Sequence, residues 1–316
     1  MQNDLVIGHN NFKYRVKKHW AEFKPEQYPV NDCHEMVMST NGLLYLLTNE
    51  TRNNILVFNK DGIVKASWGK TYPGAHGLTI SDENGQEFLY ITDTARHQVI
   101  KTSLEGKELM ILDYPKEITF YNSANEYKPT ETIIASNGDI YVTDGYGLQF
   151  VIQYDAYGKY IRHWGGKGDG INQFDCVHGI AIDNRGTEPS LLITSRNHNA
   201  IKRFDMNGEY LNTISLPGSF NCRPVINGKN VYSAVFRSEH NQNLRSGYIT
   251  IIDENNRVVS NPGGTEPVYI NDILQPQKQD GNTFIHPHDV CIDMDENLYI
   301  PQWNSDKTYP LMLERI

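Results

Sequence analysis

No run of lysine and arginine appears anywhere in this chain, and its formal charge is −9. That balance argues against a nucleic-acid surface, because phosphate backbones are held by clustered basic side chains. No stretch approaches the ~20 consecutive apolar residues that a membrane helix needs, so a soluble protein with no membrane partner is expected. The first twenty residues, MQNDLVIGHNNFKYRVKKHW, contain no apolar core of the kind a signal peptide carries, and the compartment stays open. Cysteine is scarce: Cys33, Cys176, Cys222 and Cys291 form no CxxC pair. Nothing in that spacing demands disulfides or a thiolate zinc site, and free thiols are expected.

What the chain does have is aromatic residues and alternation. Nineteen tyrosines and a hydrophobic fraction of 39% supply a core, and the short apolar runs lean toward strands. The stretch AHGLTISDENGQEFLYITDTARHQV, Ala75 to Val99, reads as two antiparallel strands joined by a polar turn at Asp82-Glu83-Asn84-Gly85. The same pattern recurs six times, at about 33–69, 75–112, 128–165, 177–215, 222–260 and 287–316, with Trp-Gly closing the first and third units. A four-strand repeat of about 40–50 residues is the sequence signature of a propeller blade. The fold class expected is therefore all-β, one domain over residues 1–316, a six-bladed β-propeller. The last unit stops after its third strand. An unused alternating segment, residues 12–20, is expected to supply that blade's outermost strand and close the ring, which hides sheet edges.

Alignment of the units places one residue of each at the start of its first strand: His34, His76, Thr130, His178, Arg223 and His288. First strands line a propeller's channel, so these side chains should converge on the axis. A lone histidine is ordinarily satisfied by a nearby carbonyl, but four of the chain's eleven at one repeated position point to a metal. His76, His178 and His288 are the expected ligands, because three imidazoles leave a position for water or substrate. His34 is a fourth ligand, a group that orients the others, or a substrate contact. Thr130, Arg223 and the spare His286 are candidate substrate contacts.

The loops after the second strands carry Arg52, Arg96, Tyr146 and Arg196. Guanidinium clamps a carboxylate in two-pronged fashion, and Tyr146, between two glycines, is free to act as acid or base. The next ring position holds Glu35, Glu131 and Asp289, which either bind a second, hard cation or accept backbone hydrogen bonds. Gly166 to Gly170 looks like a phosphate loop, yet an apolar strand follows it rather than a helix, so it lacks that chemistry's context.

HWGGKGDGINQFDCVHGIAID, His163 to Asp183, resembles the NHL repeat, and HGLTI with TDTARHQVIK, PTETI with YVTDGYG, FDCVHGIAI and IHPHDVCI resemble the peptidyl-α-hydroxyglycine α-amidating lyase domain. The resemblance spans blades two, three, four and six. It implies zinc on His76, His178 and His288, catalytic roles for Tyr146 and Arg196, and a structural calcium at Asp289 with the carbonyls of Leu78 and Met36. It implies C–N cleavage of an α-hydroxyglycine to a peptide amide and glyoxylate. The chain departs from that pattern at Gly147, where the family has a disulfide cysteine, and at His286, where it has methionine. Arg52 is two positions out of register, Glu50 taking its place; His34 is an extra ring histidine; and these 316 residues are not expected to include a hydroxylating domain.

A metal-dependent lyase is the expectation, with zinc or another divalent transition metal and with calcium as a second ion. Tyr146 would move a proton, and Arg196 with Arg52 or Arg96 would hold an anionic group on a small-molecule, peptide or sugar substrate. Two rivals stand beside it: a metal-dependent elimination or hydration of a uronic or keto sugar, and a non-catalytic NHL binding module. A monomer is expected. The insertion Arg237 to Arg245 is a lid or an interface.

Overall fold

The computed structural model describes residues 5–21 and 24–316. Six sheets follow one another around the ring, each antiparallel; five are ordered as in the chain, and the sixth joins strands from both ends of it. Blade one runs through Cys33–Met38, Leu44–Thr48, Ile55–Phe58 and Val64–Trp68. Blades two to four begin with Ala75–Glu83, Glu131–Ile134 and Val177–Asp183, and blade five with Ser219–Asn227. No α-helix occurs among the described residues, and so no helix there is long and apolar enough to cross a membrane. All four cysteines are free.

Position within a blade dictates composition. The second strand of blade one, LYLLT, is buried throughout because neighbouring sheets cover both its faces. The outermost strand, VKASW, alternates less strictly and is largely exposed in its middle. Apolar side chains interleave between blades: Leu47, Ile55 and Val57 pack with Leu78, Leu89 and Ile91 of the next sheet. At about 1.5–3 kcal/mol for each fully buried aliphatic or aromatic side chain, this contact between sheets is what holds the ring.

Closure follows the expected route and adds a strand to it. Blade six contains Cys291–Ile292, Leu298–Ile300 and Leu311–Arg315, and Phe12–Lys17 pairs with the last of these, Tyr14 opposite Arg315 and Val16 opposite Leu313. Val6–His9 then turns back on Phe12–Lys17 as a fifth strand. Tyr14 and Val16 seal the joint by packing with Tyr232, Ile249 and Ile251 of blade five. Because the two chain ends share one sheet, opening that sheet opens the ring.

Blades four and five are also joined through charge. Asp183 takes Arg185 at 2.9 Å and Arg203 at 2.6 Å, while Arg185 donates to the carbonyl of Lys229 in blade five. Burial pushes the Asp183 carboxyl up, but the two guanidinium groups outweigh it and hold it at about 2, below the usual carboxylate range. A depressed carboxylate contributes stability above its unfolded pKa and loses it as pH falls through the folded one. Asp183→Asn should therefore melt below the wild type at pH 7, the gap beginning to close below about pH 4 and vanishing towards pH 2. Thermal melts across that range check this; a gap that persists at pH 2 contradicts it.

Candidate metal centre

Two rings of side chains stack along the channel, one residue apart on the first strands. Four of the six first strands change register where they reach the axis, between Cys33 and Glu35, Ala75 and Leu78, Val177 and Ile180, and Asn221 and Pro224. A bulge of this kind turns consecutive residues toward the same side. The upper ring gathers His34, His76, His178 and His288, all buried.

Ring centroids of His76, His178 and His288 form a triangle with sides of 4.8, 5.0 and 5.0 Å. His34 lies 4.9 Å from both His76 and His288. The Nδ1 of His76 donates to the carbonyl of Thr130 at 2.8 Å, and that of His288 to the carbonyl of His34 at 3.1 Å. A carbonyl only accepts, so each ring carries its proton on Nδ1 and presents the Nε2 lone pair to the axis. Nδ1 of His34 and of His178 is buried without a partner. Burial holds all four imidazoles below their usual pKa, with His34 pushed down to about 3 by burial and then by Arg196. Neutral imidazoles with their lone pairs converging are the form that ligates a metal.

Ligating atoms of His34, His76 and His288 lie within 4.8 Å of one another, and so do those of His178, Cys222 and His288. These five donors, four nitrogens and one thiol, fit a divalent transition ion, with the rings of His76 and His288 fixed by carbonyls behind them; the expected trio of His76, His178 and His288 is divided between the two groups, which share His288. Cys222 is the residue that sequence reasoning missed. The repeat pattern puts Arg223 beside the histidines, one position late, and the structure places Cys222 there. Pro224 and the bulge ahead of it hid the slip.

Tyr146 stands over the ring. Its hydroxyl is 3.0 Å from Nε2 of both His76 and His178 and receives a 3.4 Å hydrogen bond from Arg196. The residue as a whole is 42% exposed, but its hydroxyl is enclosed by His76, His178 and Arg196, and burial raises the phenol's pKa against the pull of Arg196. The Gly145-Tyr146-Gly147 turn is held from below by Asp144, which accepts from the backbone of Lys128 and Leu148 and from the Tyr121 hydroxyl, each at 2.6 Å. Arg196 begins a short 3-10 turn that tucks it inward to 4% exposure. It donates to the carbonyl of Asn221 and to Sγ of Cys222, and lies over the ring of Phe236. Burial lifts the Cys222 thiol to about 11, with Arg196 pulling the other way.

A cavity of about 560 Å³ opens above these groups, lined among others by Tyr146, Arg196, Phe236, Asn241 and Trp303. Phe236, Asn241 and Trp303 carried no signal in the repeat alignment. Asn241 belongs to the insertion at 237–245, so that segment borders the cavity, and Arg237 reaches back to the Asn241 carbonyl. A larger cavity, about 810 Å³, sits at the other end of the channel, but its lining is mostly aliphatic and its one charged residue is Arg223.

Several expected site residues lie elsewhere. Arg52 is exposed and paired with Glu50 at 2.8 Å. Arg96 pairs with Glu108 and lies over Tyr72. Neither lines the histidine cavity. His286 accepts the backbone N–H of Arg245 and packs against Phe236 and Trp303, behind the cavity wall. Thr130 is wholly buried, its hydroxyl bonded to Thr143 and to the carbonyl of Val177. Arg223 is turned away from the histidines into the lower ring, where it bonds Asp289 and the carbonyls of Leu78 and Met36. Those three are the donors a calcium ion was expected to use, so this set does not fit one.

A family model described as a 6-bladed beta-propeller matches residues 122–289, more than half of the chain. The chain belongs to that family. Among relatives of this six-bladed propeller, NHL repeat-containing protein 3 of Homo sapiens is 28% identical over 207 residues, covering 63% of this chain and 58% of that protein. Peptidyl-alpha-hydroxyglycine alpha-amidating lyase 1 of Drosophila melanogaster is 33% identical over 109 residues, 33% of this chain and 19% of that protein. The chain thus spans less than two thirds of either relative. Virginiamycin B lyase of Staphylococcus aureus superposes over 96% of this propeller and all of its own chain, with a TM-score of 0.58 and 14% identity, a likeness of fold alone.

Proposed function

We propose that this propeller is a metal-dependent lyase that cleaves an α-hydroxyglycine-type substrate at its C–N bond. The observation that carries the reading is the Tyr146 hydroxyl, set between two histidines of the ring and within reach of a buried arginine. Partial similarity to the amidating lyases supports the same reading. A divalent transition metal, held by His76, His178 and His288 with His34 or Cys222 as a further donor, supplies Lewis acidity toward a substrate oxygen when bound.

The chain's own residues account for the rest. Arg196 has N–H groups left over from its bonds to Asn221, Cys222 and Tyr146, and it takes the substrate carboxylate. Phe236 and Asp144 hold the two partners, guanidinium and phenol, at a fixed distance from one another. Tyr146, a neutral phenol because burial raises its pKa, gives its proton to the departing amide nitrogen and recovers one from the substrate hydroxyl. The C–N bond breaks as the carbinol carbon becomes an aldehyde, so a peptide amide and glyoxylate leave with atoms and charge balanced.

A sugar substrate has less support. Of the polar groups that would bind hydroxyls at the mouth, His286 is engaged behind the wall and Glu50 by Arg52, and only His34 lines the cavity. The test is incubation of metal-loaded protein with a peptide ending in α-hydroxyglycine, with glyoxylate and amide measured together. Equimolar release above the spontaneous rate is expected. No release by metal-loaded protein would remove the reading.

A further inference from the structure

One residue below the histidines, the lower ring consists of Glu35, Gly77, Glu131, Gly179, Arg223 and Asp289. Glu35, Glu131 and Asp289 are at most 1% exposed. The guanidinium of Arg223 meets all three: Asp289 Oδ2 at 2.6 Å, Glu35 Oε2 at 3.4 Å and Glu131 Oε2 at 3.7 Å. It also donates to the carbonyl of Leu78 at 2.8 Å and to that of Met36 at 3.4 Å. With Asp289 Oδ1, which accepts from Nε at 3.2 Å, six oxygens from four different blades therefore face one positive group on the axis.

The absent side chains matter as much. A Cβ on Gly77 would meet the carbonyl of Thr130 at 2.5 Å, and one on Gly179 would meet Cα of Arg223 at 2.4 Å. Backbone and arginine approach each other at distances that no larger residue permits. Each carboxylate is further tied to the wall: Glu35 accepts the Leu78 N–H, Asp289 the Met36 N–H, and Glu131 the Thr132 N–H. Only Oε2 of Glu131 is buried with no hydrogen-bond partner. Buried like charges repel unless a cation lies among them, and removing that cation is far costlier than never having it.

We propose that the Arg223 guanidinium is this propeller's built-in axial cation, closing the channel floor without a divalent ion, and that its removal creates a carboxylate–carbonyl site for a hard divalent cation such as calcium. The donors left behind are all oxygen, the set calcium takes at six to eight positions with water filling the remainder. Arginine is suited to the post because its planar fork addresses several oxygens at once and does not lose its charge on burial. The layer also separates the histidine cavity from the aliphatic one, since Arg223 and Met36 line only the latter.

The experiment measures calcium binding by equilibrium dialysis and melting temperature, with and without calcium, on zinc-loaded wild type and Arg223→Ala. Wild type is expected to bind no calcium at this level, and its melting temperature to stay within about 1 °C. Arg223→Ala should melt lower and regain about 5 °C or more in millimolar calcium, binding about one ion per chain. That ion should be lost again in Arg223→Ala with Asp289→Asn. Wild type that binds one calcium, lost in Asp289→Asn, overturns the proposal. So does a folded Arg223→Ala that ignores calcium. Should Arg223→Ala not accumulate, the wild-type measurements decide by themselves. None of these readouts depends on turnover, so failure of the lyase reading would leave them unchanged.

Discussion

His178→Ala should lower turnover by about 10³-fold or more and release the metal, whereas His163→Ala should leave both within about twofold. The first removes an imidazole of the ring that lies against His76 and His288 at 4.8 and 5.0 Å. A factor of 10³ is roughly 4 kcal/mol of transition-state stabilisation, the scale expected when an electrophile is lost from a site that excludes water. His163 is also partly buried, but it sits in the outer strand of blade three against Phe150 and Tyr160, away from the axis. Comparing two histidines separates loss of a ligand from general loss of an imidazole. If His178→Ala keeps its metal and its rate, the ring does not hold the reaction centre. Metal content and initial rate on the same preparations read both effects.

Tyr146→Phe should cost about 10²–10⁴-fold in kcat with metal content unchanged, since it deletes only the oxygen that exchanges protons. KM should move little, because Arg196 still carries the carboxylate. Arg196→Lys should show the opposite split: KM rises at least tenfold, as an ammonium cannot reproduce a two-pronged contact. Loss of metal in Tyr146→Phe would recast the phenol as part of the metal's shell. An unchanged rate would remove it from the chemistry.

How far the sequence exposed this arrangement depended on how regular each blade is. The ring of histidines was visible because identical strands repeat, so one aligned column becomes one level of the channel. N-terminal closure was visible from a missing strand, but Val6–His9 was not, being four residues around a glycine with no alternation to read. At blade five the column slipped by one residue. A slip of one exchanges neighbouring positions on a strand, and so Cys222 went unnoticed while Arg223 was counted with the histidines.

The loop arginines divide for a local reason. Arg52 and Arg96 each have a carboxylate close by, Glu50 and Glu108, and turn outward to it. Arg196 has no such partner in its loop, and the 3-10 turn it begins points it into the cavity. Glu50 lies in the same loop as Arg52 and was legible there, whereas Glu108 reaches Arg96 from the outer strand of its blade, which spacing along the chain does not show. Aromatic groups such as Phe236 and Trp303 came from blades five and six, where the repeat is least regular.

The account stands on a metal held by the upper ring, and metal content of the wild type tests that most directly. Protein purified without added metal should contain close to one transition ion per chain by elemental analysis, or take up one zinc when it is supplied. Protein that holds none, even after zinc is supplied, would contradict the metal centre and leave a propeller that binds but does not cleave.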